Sequence, residues 1–353
     1  MALRPGERRV ATGGAGASCR GMEQKWFWRR AGMRAGLAFG AAAGGSLVAD
    51  GKTMDPTMSA LVRFVRKLPP KPQQDIKRLR TEYAALLELT GLRADPGVTS
   101  VPLKIPGLPL AREYVQAQAG VKPRGTMLYL HGGGFIMGST ADREGVCRRL
   151  AAGTGLRVVS AGYRLAPEHP FPAAHDDAAA ALEWVRQRHA GAGPLLVAGD
   201  SAGANLAASL AREGGVDGDI AGQVLIYPVV DMREVAGRYP SLHTFAEGYL
   251  LTAAAMQACA VALLPPGTDP DDARLSPIRA DLGRSAPALV VVAGFDPLRD
   301  QGTAYAAALR AAGRQAELLE EDGLVHGFAD FAGMVPAARR AVDRVVAGVR
   351  AML

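Results

Sequence analysis

The sequence predicts an α/β protein with a mostly parallel central sheet, helices on both faces of that sheet and a helical cap. Three observations predict it. From residue 126 onward, short apolar runs alternate with amphipathic stretches of helical period, the order that builds βαβ units. The apolar runs are rich in Val, Leu and Ile without polar alternation, as strands covered on both faces are. Two stretches, 54–95 and 232–280, break the order, and each is long enough to fold over one end of a sheet.

The elements follow in order. Residues 73–91 place Ile76, Leu79, Tyr83, Leu86, Leu87 and Leu89 among charges at mainly helical spacing, behind Pro69, Pro70 and Pro72. Val101 to Ile105 and Tyr114 to Gln118 read as strands. Thr126–Leu130 is an apolar strand that ends in glycines. Helix 142–153, strand 157–160, helix 173–189, strand 195–198, helix 202–212 and strand 224–227 then alternate. Helix 253–264 follows, and strand 287–293, helix 299–312, strand 316–320 and helix 335–352 complete the chain. Residues 54–353 are therefore one domain, with 54–95 and 232–280 as two parts of one cap.

Residues 1–53 differ in kind. They are rich in Gly, Ala and Arg without a clean period, and read as a disordered or spurious extension, with Met22, Met33 or Met54 as the start. Trp26 to Arg30 followed by the small apolar stretch Ala35 to Ala49 gives the alternative, an export signal. The stretch is too glycine-rich and short for a stable membrane insertion.

The formal charge of +7 is uneven. Eight basic and three acidic side chains lie in residues 1–50, which leaves +2 for the other 303. A nearly neutral body with no basic stripe or binding motif argues against a nucleic-acid partner. Cys19, Cys147 and Cys259 are odd in number and lack C-x-x-C spacing, so neither a disulfide framework nor a metal site is expected. Three separate thiols fit a reducing, cytoplasmic compartment.

The chemistry lies in four stretches. Gly199-Asp200-Ser201-Ala202-Gly203 has the G-x-S-x-G pattern between an apolar strand and a helix. At such a turn the serine is forced into a strained backbone conformation with its hydroxyl pointing outward, and the flanking glycines avoid collision. His131-Gly132-Gly133-Gly134-Phe135 follows strand 126–130, and glycines there let backbone N–H groups approach a developing oxyanion. The expected donors are Gly133, Gly134 and Ala202. His131 itself reads as structural. In the α/β-hydrolase fold the chain order is nucleophile, acid, histidine. His243 and His326 follow Ser201; His243 falls in the cap segment, and His326 lies in a loop before the last helix. Asp296 stands first past strand 287–293, ahead of Asp300, which is one turn into the next helix and better placed to cap or form a salt bridge. Ser201, Asp296 and His326 are thus the expected nucleophile, acid and base. Phe135, Phe245, Tyr249, Leu250 and Leu251 are candidates for an apolar substrate pocket.

With these residues in place, the chain resembles the bacterial hormone-sensitive-lipase family of esterases. His131–Phe135, Tyr163–Ala173, Gly199–Gly203, Asp296–Asp300 and His326-Gly327-Phe328 carry the resemblance, which extends over about 54–353. It implies a Ser-Asp-His triad, no cofactor, hydrolysis of short- to medium-chain acyl esters, and a homodimer as an allowed state. Lactone or aryl-amide hydrolysis is the alternative within the family. A non-catalytic receptor for a small molecule, as the gibberellin receptors on this fold are, is the alternative outside it; those lack the triad histidine that His326 would supply. Gln301 stands where many members carry Glu, and Arg164 is expected to pair with Glu168 or Asp177 as scaffold.

Overall fold

A computed structural model describes residues 30, 32–68, 75–118, 120–212, 218–233 and 238–353. Its elements in chain order are α1 (32–44), β1 (Val48–Ala49), β2 (Lys52–Thr53), α2 (Pro56–Arg66), α3 (Ile76–Thr90), β3 (Val98–Leu103), β4 (Ala111–Gln116), β5 (Thr126–Leu130) and α4 (Glu144–Thr154). They continue with β6 (Arg157–Ala161), α5 (Ala173–Arg188), β7 (Leu195–Asp200), α6 (Ala202–Ala211), β8 (Ile220–Ile226), α7 (Ser241–Thr244), α8 (Ala253–Leu263), β9 (Ala288–Phe295), α9 (Arg299–Ala311), β10 (Ala316–Val325) and α10 (Pro336–Met352).

Eight strands form one sheet in the order β10-β9-β8-β7-β5-β6-β4-β3. Six of them, from β10 to β6, run parallel, and β4 and β3 add antiparallel at one edge. The period of two sorts each central strand into two cores. In β9, Leu289, Val291, Ala293 and Phe295 enter one core with α4 and α10, while Val290 and Val292 enter the other with α5, α6 and α9. Burial on both faces is why these runs carry no polar alternation. Helix α10 places Ala338, Ala341, Val342, Val345 and Val349 on one buried face, beginning at Pro336, where a missing N–H costs nothing.

Strand ends depart from the sequence reading where pairing overrides composition. β3 and β4 begin three residues earlier than expected, because Val98 pairs with Gln116 and Leu103 with Ala111. β10 runs to Val325 rather than 320. Glu321-Asp322-Gly323 reads as loop, yet Glu321 pairs with Ala293 and is buried against Arg344.

Residues 1–53 read as a disordered or spurious extension, but residues 32–53 carry regular structure. Residues 32–44 form α1, whose Leu37 is buried in the core. The Arg34 Nε donates to Gly333 O at 3.1 Å. β1 and β2 pair as a hairpin around Asp50 (φ 51°) and Gly51 (φ 69°), and Asp50 meets Arg299 at 2.6 Å. Asp-Gly between two short runs is a strong local signal for such a turn, and it was present in the sequence. Residues 1–29 and 31, including Cys19 and most of the tryptophan-arginine stretch, lie outside the described residues, as do Pro69, Pro70 and Pro72. Among the described residues no helix is long and apolar enough to cross a membrane.

Candidate active site

Ser201 lies between β7 and α6 with φ 51° and ψ −116°, a conformation that L-residues rarely adopt. The turn tolerates no side chain at its flanks. A Cβ on Gly199 would lie 2.3 Å from Gly203 O, and one on Gly203 would lie 2.0 Å from Leu130 O. The Ser201 hydroxyl makes no cap bond to α6. It faces His326 instead, with Oγ 2.9 Å from Nε2.

His326 follows β10 directly and Asp296 follows β9, so the parallel register of neighbouring strands brings their ends together. His326 Nδ1 lies 2.8 Å from Asp296 Oδ2, and the other oxygen, Oδ1, accepts from Leu298 N at 2.7 Å. Asp296 is fully buried, with both oxygens engaged, so its orientation is set from two sides. Tyr227, from the end of β8, packs its ring 4.8 Å from the His326 ring and at right angles to Phe328. This arrangement can move a proton from a hydroxyl to an imidazole held in one tautomer.

Opposite the hydroxyl, the loop after β5 turns sharply. Gly133 has φ 126° and Gly134 φ 61°, and Ile136 N and Met137 N both donate to Gly133 O. Among the described residues, neither the Gly133 N–H nor the Gly134 N–H donates to a backbone carbonyl. Ala202 opens α6, where the first N–H groups of a helix have no internal partner. His131 anchors the loop: its ring stacks on Tyr163 at 4.3 Å, its carbonyl accepts from the Tyr163 hydroxyl, and its Nδ1 lies 2.9 Å from Gly132 O. Burial pushes its pKa down to about 4.

A polar group that the sequence reading missed lies beneath the nucleophile. Asp200 accepts from Arg143, from the Tyr129 hydroxyl at 2.8 Å and from Gly132 N at 3.0 Å. Burial pushes the Asp200 carboxyl up, but these donors outweigh it and hold it below its ordinary value. Arg143 also reaches Tyr83 of α3 and Asp330, whose pKa burial raises to about 6 against the pull of Arg143. Arg143 shares the buried face of Val146, Cys147 and Leu150. A charge at that spacing, with an acid inside G-x-S-x-G, was the available signal.

One cavity of about 2230 Å³ is lined by Ser201, His326, Gly133, Gly134 and Ala202 together with residues of α1, α2, α3 and α8. Of the pocket candidates, Phe135, Leu250 and Leu251 line it. Phe245 and Tyr249 do not. Phe245 is fully buried edge-on to Tyr249 and Phe295, and Tyr249 packs on Phe295 beneath the Arg66 guanidinium. Phe245 belongs to the core, and Tyr249 packs partly buried against it. Asp300 does not cap α9; it forms a salt bridge with Arg299 at 2.8 Å and accepts from Ser241 N at 2.8 Å. Gln301 Oε1 accepts from Val230 N and Asp231 N. Arg164 pairs with Asp177, while Glu168 binds Arg80.

A family signature described as the alpha/beta hydrolase fold matches residues 127–330, a span that holds Ser201, Asp296 and His326. The chain is 36% identical over 334 residues to the carboxylic ester hydrolase LipN of Mycobacterium tuberculosis, covering 88% of this chain and 86% of that one. It is 41% identical over 251 residues to the esterase LipI of the same organism, covering 67% and 74%. Among solved structures, the hyperthermophilic esterase from the archaeon Pyrobaculum calidifontis superposes with a TM-score of 0.75 at 34% identity, over 85% of this chain and 98% of that one. With this sheet, these motifs and these relatives, the chain belongs to the α/β-hydrolase family, in the hormone-sensitive-lipase-like branch of carboxylic ester hydrolases.

Proposed function

We propose that this protein is a serine carboxylesterase that hydrolyses acyl esters through an acyl-enzyme on Ser201. The observation that carries the proposal is the chain of hydrogen bonds from Ser201 Oγ to His326 Nε2 and from His326 Nδ1 to Asp296 Oδ2, at the floor of the large cavity. Short- to medium-chain acyl esters are the substrates that the family resemblance implies.

In the proposed reaction Ser201 Oγ attacks the ester carbonyl while His326 takes its proton. Asp296 holds the imidazole in the required tautomer and stabilises its charge. The N–H groups of Gly133, Gly134 and Ala202 receive the oxyanion, and the N-terminus of α6 adds its dipole. His326 then protonates the departing alcohol, and water releases the acyl group by the same route. Segments 54–95 and 232–280 serve as a cap, since α2, α3 and α8 wall the cavity that contains Ser201.

Hydrolysis of p-nitrophenyl butyrate by the purified chain tests the proposal. Turnover with a burst equal to the enzyme concentration, lost in Ser201→Ala, supports it. Binding of the ester without turnover supports the receptor reading and ends this one.

A further inference from the structure

We infer that the site takes esters carrying an extended aliphatic arm, longer than a short- to medium-chain acyl group, held in a channel that α1 walls. The inference rests on the Ser201 reading and extends its substrate class.

Volume is the first ground. Pockets that enclose a drug-sized ligand measure roughly 300–1,000 Å³. Here one cavity of about 2230 Å³ is continuous with Ser201 and His326. A butyryl ester leaves most of it empty, and an empty apolar channel open to water gains free energy by holding alkyl groups.

The source of the extra space is the second ground. It is bounded by α1, which precedes the region that carries the family resemblance. Gly36, Gly40 and Gly44 fall at intervals of four and all line the cavity, as do Met33 and Leu37 of the same helix. Gly40 lets α1 settle on α2, since a Cβ there would lie 3.2 Å from the Ala60 Cβ. Gly36 also lines the cavity but is exposed, and a Cβ there would meet nothing within 4 Å, so this part of the helix borders the cavity where it opens to solvent. The opposing walls include Leu61 and Phe64 of α2 and Leu86 and Leu89 of α3, all apolar.

The mouth is the third ground. Phe64 and Leu68 line the cavity and are also 54% and 48% exposed, so the apolar wall continues outward to solvent. An arm longer than the channel has an apolar exit there. The arm is an acyl chain or the alkyl chain of the alcohol, according to which side of the ester faces α1.

Two ester series on the full chain separate these sources, with substrates kept below micelle formation. In the first, p-nitrophenyl butyrate is compared with the dodecanoate. In the second, ethyl butyrate is compared with dodecyl butyrate. Each methylene held in the channel is worth a factor of about four, so kcat/KM is expected to rise at least about tenfold in one series. Gly36→Phe fills the channel and is expected to lower that long-to-short ratio at least about tenfold, while Gly36→Ala keeps it near the wild-type value. No rise in either series, or a Gly36→Phe ratio equal to wild type, overturns the inference while butyrate turnover still upholds the hydrolase. Calorimetry with dodecanoate and butanoate reads the channel without turnover. A chain that turns over no ester but binds dodecanoate at least about tenfold more tightly, with the difference lost in Gly36→Phe, keeps the channel and sinks the hydrolase. Equal binding of the two acids overturns the channel as well.

Discussion

Arg143 Nη2 lies 2.7 Å from Asp200 Oδ2, with both side chains at most 3% exposed, so the residue directly before Ser201 is clamped by a buried ion pair. Through Tyr83 and Asp330 the same guanidinium ties α3 and the segment after His326 to that clamp. Removing one member of a buried pair leaves an uncompensated charge, which costs about 3–5 kcal/mol. Arg143→Met and Asp200→Asn should each lower the unfolding free energy by that order. Urea titration checks it, and a loss under about 1 kcal/mol in both would show that the pair is not structural.

Ser201 carries backbone strain that its side chain cannot relieve. Glycine accepts φ 51° and ψ −116° more readily, so Ser201→Gly should raise stability by about 1–3 kcal/mol while abolishing turnover. Ser201→Ala keeps the strain and should lose about 10⁵–10⁶ in kcat. A melting series on the wild type and both variants, run beside the activity assay, separates strain from chemistry.

The Asp296 carboxylate holds His326 Nδ1 with one oxygen and the Leu298 N–H with the other, and an amide in its place keeps an oxygen for only one of them. Asp296→Asn should therefore reduce kcat by about 10⁴ with little change in KM, because the imidazole is left in the wrong tautomer. Steady-state kinetics on p-nitrophenyl butyrate give the split. A change confined to KM would move Asp296 out of the proton path.

Gly134 has φ 61°, and a Cβ there would lie 2.4 Å from Cys259 Sγ. Gly134→Ala should displace the loop and lower kcat by about 10²–10³. Cys259→Gly removes the clash and should restore part of that loss. Gly133→Ala should gain nothing from Cys259→Gly, because its Cβ would meet the Met137 carbonyl at 2.1 Å. Equal rescue of both would contradict the geometry.

His131 gives stability a pH dependence. Its folded pKa of about 4 lies below the unfolded value of 6.5, so the unfolded chain binds more protons between those values. Its contribution is complete above pH 6.5 and is lost as pH falls toward 4, by up to roughly 3 kcal/mol. His175 adds a second loss of the same sign. Asp330, raised to about 6, acts oppositely, since ionising it costs stability as pH rises from 4 to 6. His131→Asn should flatten the pH dependence of the denaturation midpoint by one proton. An unchanged slope would mean that the imidazole is protonated in the fold.

Local rules carried much of this. The alternation of apolar runs and helical periods yielded the sheet and its helices. The glycine pattern around Ser201 and the chain order of Ser201, Asp296 and His326 named residues that the fold brings within hydrogen-bond distance. Such features are legible because they depend on side-chain period and on backbone freedom, which neighbours in sequence determine. The hairpin at Asp50-Gly51 was equally local and was overlooked against a glycine-rich background.

What the sequence by itself determined is thus the strand and helix order, the strained turn at Ser201 and the identity of the groups at the strand ends. The tertiary structure alone decided that Phe245 packs in the core with Tyr249 against it while Leu250 and Leu251 line the cavity, that Arg143 pairs with Asp200, and that α1 walls the channel. The physical reason is that burial and ion pairing depend on which distant surfaces meet. A residue's own neighbours in the chain do not fix whether its side chain turns toward water, core or ligand.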